Sequence, residues 1–337
     1  LEKPTMSVTK SHRQNLASNR CQNSRVMLEF SPEVSSTLIW VRHFVVALLL
    51  ISSFVAQADT PLFEIGKLSL NPSKQIPQIQ PMADYLAGEM APFGYQSGKA
   101  RVFSNFDSAR QAMANGSLDT MTTSLYEAAQ MIRGGEAAPL AVKWKNGLSE
   151  YSSLLIVDAA SDIYELNDLA GKTIAFEDYG STSAFFIPYM ALAETGLRLS
   201  PLEGADLAPD RIHYRFTGAE QNSSVLLFQK KVDAIALSDY DWLKSDHVPI
   251  EQRQSFRILW VSEPYPAAVE ILNAQIPIEQ RAFLRNTLTR LHLSHEGEEV
   301  LDKYHDSRRF SPLSDEARNQ LEQFVEFLKT EQFPSEH

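Results

Sequence analysis

Residues 168–183 read DLAGKTIAFEDYGSTS, and this stretch carries the clearest structural signal in the chain. The apolar run at 172–176 predicts a buried strand, Gly180 predicts a turn, and the hydroxyl residues Ser181, Thr182 and Ser183 predict the start of a helix. The first N–H groups of a helix lack partners within the helix and carry the positive end of its dipole. Three hydroxyl donors beside them predict a neutral, donor-rich site for an oxyanion. The alternative is that one hydroxyl only caps the helix.

Strands and helices alternate on both sides of this stretch. Strands are predicted at 63–68, 101–103, 118–122, 151–157, 211–216, 232–237 and 257–261, with helices at 82–90, 107–115, 125–132, from 181, and at 223–228. Asn71, Pro72 and Ser73 are interpreted as a loop, and everything after Pro266 is expected to be helical. The alternation predicts an α/β architecture with parallel strand pairing and helices on the sheet faces.

Two such blocks are typical of two lobes joined by a hinge. We assign residues 59–153 together with 264–337 to lobe 1, and residues 154–263 to lobe 2. Ligand pockets in this kind of architecture form between the lobes, at the carboxyl ends of the strands.

Charge and composition exclude several function classes. The 337 residues include 31 basic and 42 acidic side chains, a formal net charge of −11, so no basic surface is available for a nucleic-acid partner. The single cysteine, Cys21, excludes disulfide scaffolds, thiolate zinc sites and iron–sulfur clusters. His292 and His295 lack an established metal-ligand spacing, and no phosphate loop or nucleophile motif is found. We therefore expect no metal, no cofactor and no enzymatic activity.

The N-terminal region has the pattern of a secretion signal. Arg42 and His43 precede an apolar run at 44–55 and the triplet Ala56-Gln57-Ala58, which predicts cleavage after Ala58. The run is too short for a membrane span, and a buried N-terminal helix is the alternative. Residues 1–58 are thus expected to be a leader and a cleaved signal peptide, with Met27 a candidate translation start.

Residues 169–183 also resemble the signature of the substrate-binding proteins of phosphate, phosphite and phosphonate ABC transporters. Two weaker stretches, 218–234 and 262–266, follow in the order that the family has. The resemblance implies a type II periplasmic-binding-protein fold, in which two α/β lobes joined by a hinge close on a small ligand. It also implies a periplasmic location and, as partners, an inner-membrane permease with its ATPase.

The resemblance implies roles for particular residues. Ser181, Thr182 and Ser183 match the triplet that holds the phosphonate oxygens, and Tyr151 matches a tyrosine that donates its hydroxyl to the same group. For Tyr151 the alternative is a strand residue with its hydroxyl in water.

Four positions depart from the family pattern. Phe106 stands where the family has a second hydroxyl-donating tyrosine, and Glu220 (or Gln221, with a one-residue shift) stands where a histidine contacts the anion. Tyr240 and Ala268 stand where acidic residues receive an amino group of the ligand. Glu220 either accepts a hydrogen bond from a protonated ligand oxygen or caps the following helix from solvent.

Two function classes follow. The first is a periplasmic protein that captures a phosphate, phosphite or phosphonate between two lobes and delivers it to an ABC permease. The second keeps the fold but reports the ligand to a membrane sensor kinase or cyclase.

Overall fold

The computed structural model of the protein describes residues 61–202, 208–304 and 307–330, so the predicted leader and signal segment lie outside the described residues. The strands are β1 Leu62–Leu68, β2 Ser97–Phe103, β3 Thr120–Thr123, β4 Ala137–Lys143, β5 Glu150–Tyr151, β6 Ser153–Asp158, β7 Thr173–Phe176, β8 Arg198–Pro201, β9 Arg211–Phe216, β10 Ala234–Ser238, β11 Phe256–Val261, β12 Tyr265–Pro266, β13 Val269–Asn273 and β14 Phe310–Ser311. The helices are α1 Pro72–Glu89, α2 Phe106–Ala114, α3 Leu125–Arg133, α4 Ile187–Glu194, α5 Glu220–Phe228, α6 Asp239–Leu243, α7 Ile250–Arg253, α8 Ile278–Arg290, α9 His295–Lys303 and α10 Asp315–Thr330.

The first six-stranded sheet is built from both ends of the described chain. Its strand order is β14-β4-β13-β3-β1-β2, with β1 parallel to β2 and β3. β13 runs antiparallel to both β3 and β4. The carboxyl ends of β1 and β3 therefore lie at the same edge of the sheet.

The second six-stranded sheet is built from the middle of the chain, in the order β11-β6-β10-β7-β9-β8. Strands β10, β7, β9 and β8 are parallel neighbours, whereas β6 is antiparallel to β10 and β11. The turns that follow β7, β9 and β10 consequently share one edge of this sheet.

Two short antiparallel strands connect the sheets. Tyr151 of β5 pairs with Tyr265 of β12, next to the points where the chain enters the second sheet at Ser153 and leaves it at Val261. Tyr265 packs against Phe324 of α10, with ring centroids 5.3 Å apart. The C-terminal helix thus braces the connection between the sheets.

An apolar interface joins the two sheets through α3 and the segment after β7. The ring of Tyr126, in the first turn of α3, stacks on Phe186 with centroids 4.2 Å apart. Phe186 also meets Phe324 of α10 edge-on at 4.7 Å. All three side chains are completely buried. This cluster holds elements of both sheets in a single core.

The α/β prediction is confirmed, but four details of the sequence interpretation are wrong. The chain after Pro266 is not all helical, because β13 is a fully buried strand inside the first sheet. Its apolar pattern is interrupted by Glu270, which accepts a hydrogen bond from Thr122 on β3. The pairing is not wholly parallel, as the directions of β6 and β13 show.

The third wrong detail concerns the residues after β1. Asn71 caps α1 by accepting a hydrogen bond from the N–H of Lys74, so Pro72 begins a helix instead of belonging to a loop. The predicted strand at 151–157 is also divided at Ser152, because Tyr151 pairs with Tyr265 while Ser153 pairs with Ser238. Among the described residues, no helix is long and apolar enough to cross a membrane.

The interface cluster should dominate the stability of the fold. We expect Phe186→Ala to lower the free energy of unfolding by about 3–5 kcal/mol, because a fully buried aromatic ring is lost and its cavity cannot collapse completely. The matched control is Phe228→Ala on α5, where 48% of the side chain is already exposed. Urea unfolding measures both variants. Equal losses in the two would contradict a packed interface at Phe186.

Candidate functional site

A cavity of about 530 Å³ lies between the two sheets, at the edges where their parallel strands end. From the first sheet it receives the ends of β1, β3 and β4; from the second it receives the segments that follow β7 and β10. Open α/β sheets place ligands at the carboxyl ends of their strands, because the turns there converge and free N–H groups point outward. The position of the cavity therefore marks it as the candidate binding site.

The hydroxyl turn, residues 181–183, forms one wall of the cavity. Ser181 caps it, since its Oγ accepts a hydrogen bond of 3.1 Å from the N–H of Ala184. The turn then opens into a π-helical turn, Thr182–Phe186, in which the N–H of Phe186 bonds the carbonyl of Ser181 at 3.0 Å. The predicted helix thus begins with a wide turn, and regular α-helix starts only at Ile187. Single π turns are frequent at functional sites.

Tyr151 reaches the hydroxyl turn from the connection between the sheets. Its side chain hydrogen-bonds the side chains of Ser183 and Thr182, which acts to lower the pKa of Tyr151, but burial has the larger effect and raises that pKa above its ordinary value. The phenol is therefore protonated at neutral pH and is able to donate. The backbone of Ser183 is fixed independently, because its carbonyl accepts a 2.5 Å hydrogen bond from the hydroxyl of Ser153.

The N-terminus of α3 joins the hydroxyl turn from the first sheet. The N–H of Tyr126 donates to Thr182 Oγ1 at 3.0 Å, and Ser124 Oγ donates to the carbonyl of Gly180 at 3.0 Å. A Cβ at Gly180 would lie 2.8 Å from Glu127 Oε1, so a larger residue there would displace the Glu127 carboxyl group. These contacts unite donors from both sheets at one point of the cavity.

A cluster of carboxyl groups lies on the same wall as the hydroxyl turn. Glu177 follows β7 and hydrogen-bonds Glu220, the first residue of α5. Burial, the nearby charge of Glu220 and that hydrogen bond together raise the pKa of Glu177 to about 8, although a hydrogen bond from Ser181 lowers it. Because two ionised carboxyl groups in contact repel each other, Glu177 keeps its proton at neutral pH.

Asp241 completes the carboxyl cluster, but its pKa is lowered whereas that of Glu177 is raised. Burial acts to raise its pKa, but hydrogen bonds from Ser238 and Lys244, with the charges of Lys244 and His247, outweigh burial and leave the pKa lowered. Lys244 Nζ lies 3.0 Å from Asp241 Oδ1, and His247 Nδ1 lies 3.1 Å from the same oxygen. Ligand atoms of Glu220, Asp241 and His247 lie within 4.8 Å of one another, the one such group among the described residues. Since Lys244 already supplies positive charge there, we assign no metal to it.

Lysines of the first sheet form the opposite wall. Lys67 is the last but one residue of β1, Lys143 is the last residue of β4, and Lys145 follows in the loop; all three line the cavity. Only 3% of Lys143 is exposed, and its Nζ lies 4.5 Å from the centre of the Tyr304 ring. Burial raises the pKa of Glu270 behind it, whereas hydrogen bonds from Thr122 and Thr120 and the charge of Lys143 lower that pKa. The cavity is thus basic on the first sheet and rich in hydroxyl and carboxyl groups on the second.

The structure brings most of the sequence-predicted residues together. The main cavity is lined by Tyr151, Ser181, Thr182, Ser183, Glu220, Tyr240 and Ala268. The ring of Tyr240 contacts Lys244, which follows the same helix, α6; Lys244 Nζ lies 4.0 Å from the ring centre. Phe106 instead lines an adjoining cavity of about 660 Å³, which shares Glu127, Asp178 and Gly180 with the main one. Its position at the start of α2, packed against the apolar core, explains the difference.

Sequence reasoning missed several cavity residues, among them Glu177, Lys67 and Lys143, which lie at or next to strand ends. Glu177 directly follows β7 within residues 168–183. A polar residue at the carboxyl end of a strand indicates a candidate binding residue. Lys67 lies one residue before the end of β1, and Lys143 is the last residue of β4. Nothing in the sequence alone shows that these three strand ends meet.

Comparison with known proteins matches the whole described architecture. The family described as the periplasmic phosphonate substrate-binding protein of ABC transporters matches residues 68–317. The Xanthomonas citri protein XAC2383, in a structure bound to chloride, is 25% identical over 80% of this chain and 97% of its own, with a TM-score of 0.72. The binding-protein component of an ABC phosphonate transporter from Pseudomonas aeruginosa is 21% identical over 80% and 87%, with a TM-score of 0.52.

A third relative, PhnD1 from Prochlorococcus marinus in complex with methylphosphonate, is 15% identical over 80% of this chain and 99% of its own, with a TM-score of 0.56. The fold expected from the sequence, a type II periplasmic-binding-protein fold, is confirmed by these likenesses. Because the family match covers well over half of the 337 residues, the chain belongs to the periplasmic phosphonate substrate-binding proteins of ABC transporters.

Proposed function

We propose that this protein captures a small phosphorus oxyanion (phosphate, phosphite or phosphonate) between its two lobes and delivers it to an ABC permease. The observation that carries the proposal is the meeting of Tyr151 with Thr182 and Ser183 inside the cavity. Neutral hydroxyl and N–H donors suit a dehydrated oxyanion, because each oxygen that leaves water must find a donor. The permease works with an ATPase, and the binding protein itself carries out no chemistry.

Lobe 1 in this proposal is residues 59–153 with 264–337, and lobe 2 is residues 154–263. The paired strands β5 and β12 are the hinge, because they join the sheets and α10 braces them. Tyr151 stands on this hinge and also contacts the hydroxyl turn. A ligand bound at the hydroxyl turn would therefore contact the hinge about which the lobes rotate. Closure around a ligand is the common motion of two-lobed binding proteins.

Secretion is part of the same proposal. The family is periplasmic, and the pattern at 42–58 supports export through a signal peptide cleaved after Ala58.

The hydroxyl of Tyr151 should contribute directly to anion affinity. We expect Tyr151→Phe to weaken methylphosphonate binding by about 1–3 kcal/mol, because one oxyanion lone pair loses its donor while the ring remains. Isothermal titration calorimetry measures the change. Tyr151→Phe is a cleaner test than Thr182→Val, which would also remove the acceptor of the Tyr126 N–H.

Tyr164→Phe is the matched control for that experiment, since 73% of Tyr164 is exposed and it lies outside the cavity lining. Its affinity should equal that of the wild type. If Tyr151→Phe also binds methylphosphonate with wild-type affinity, the phenol does not contact the anion.

Affinity should also depend on the proton shared by Glu177 and Glu220. Below its pKa of about 8 Glu177 is protonated, and above that value the pair gains a second negative charge facing the cavity. We therefore expect anion affinity to fall as pH rises through 8, by at most about tenfold per pH unit. Glu177→Gln keeps a hydrogen-bonding side chain but cannot titrate, so its affinity should depend less on pH. Glu220→Gln should have the same effect.

The ligand titrates identically with every variant, so the ratio of wild-type to variant affinity isolates the protein group. Calorimetry between pH 6 and 9 gives this ratio, with Glu251→Gln on exposed α7 as the control. A ratio that stays constant across this range for Glu177→Gln would show that the pair does not titrate near the anion.

A further inference from the structure

The lysine wall of the cavity has no function in the capture of one oxyanion by the hydroxyl turn. Lys67 and Lys145 both line the cavity, and neither side chain makes a hydrogen bond or an ion pair with the described residues. Burial lowers the pKa of Lys67, and the positive charge of Lys145 lowers it further. A partly buried cation that forms no ion pair loses hydration without gaining a partner.

The carboxylates nearest Lys67 are Glu127 and Glu270, and both act to raise its pKa. Each already has its own donors. Glu127 accepts hydrogen bonds from the hydroxyl of Thr123 and the N–H of Ser124, and Glu270 accepts one from Thr122. Lys67 is therefore not required to satisfy either carboxylate.

The cavity is larger than a single small oxyanion needs. At about 530 Å³ it falls within the range of about 300–1,000 Å³ found for sites that hold ligands of many heavy atoms. A phosphate or methylphosphonate ion has only five heavy atoms and would leave most of that space unfilled. The hydroxyl turn occupies the wall from the second sheet, and the lysines occupy the wall from the first.

We infer that Lys67 and Lys145 form a second anion subsite, and that the ligand is a phosphonate or phosphate ester carrying a second anionic group. This inference rests on the proposed function, because the hydroxyl turn and Tyr151 hold the phosphorus group. The second group lies against the lysines, whose side chains form no ion pair with the described residues. Glu127 and Glu270 lie near Lys67, but their hydrogen bonds come from Thr123, Ser124 and Thr122. The carboxyl cluster belongs to the other wall, where Lys244 pairs with Asp241 and Glu177 holds a proton.

The test compares two ligands of the same length: 3-phosphonopropionate, which has a terminal carboxylate, and propylphosphonate, which ends in a methyl group. We expect the wild type to bind 3-phosphonopropionate about tenfold more tightly or better, because a hydrogen bond between charged groups contributes more than a neutral one. Lys67→Met should abolish this preference, so that the variant binds the two ligands with equal affinity. Lys145→Met, in an exposed loop, should reduce it.

The control variant is Lys99→Met, which removes a lysine of the same sheet that pairs with Glu64 outside the cavity. It should keep the wild-type preference. Urea unfolding without ligand checks that Lys67→Met is folded; Lys145→Met, at an exposed position, provides the test if it is not.

Three results would overturn the inference. Equal affinity of the wild type for both ligands would show that no second subsite exists. An equal loss for both ligands in the lysine variants would place the lysines on the phosphorus group itself. Wild-type protein that binds neither ligand, nor phosphate or methylphosphonate, would contradict the proposed function, and this inference with it.

Discussion

The contact between the first turn of α3 and the hydroxyl turn is the interaction on which the rest of the site depends. Two hydrogen bonds, from Tyr126 N–H to Thr182 and from Ser124 to the carbonyl of Gly180, join elements that belong to different sheets. The stacked rings of Tyr126 and Phe186 bury the same junction. Without it the two sheet edges would not enclose a cavity, and Tyr151 would face only one wall.

The walls of this cavity differ in charge because they come from different parts of the chain. Strand ends of the first sheet contribute lysines, and the segments after the strands of the second contribute hydroxyl and carboxyl groups. The cavity between them thus offers neutral donors at one side and cations at the other. Such an arrangement favours oxyanions while the protein as a whole remains strongly acidic, since fixed local donors act at short range and the net charge does not.

The sequence predicted what short-range patterns encode. Strand β9 and the helix begun at Leu125 follow directly from periodicity and capping residues, and the hydroxyl turn follows from the strand and glycine before it. Resemblance to a family added Tyr151, which no local pattern would have placed beside Ser183. By contrast, β13 was missed because Glu270 interrupts its apolar run, and its carboxyl group has its partners on other strands, Thr122 on β3 and Lys143 on β4. The lysine wall was missed for the same reason: which strand ends meet is decided by sheet order, a long-range property.

A crystal structure of the mature protein with methylphosphonate tests the central claim most directly. The phosphonate oxygens should accept hydrogen bonds from Tyr151 and from residues 181–183, with the methyl group directed toward the lysine wall. A phosphonate bound elsewhere, or a cavity that stays free of it at saturating concentration, would contradict the role assigned to the hydroxyl turn.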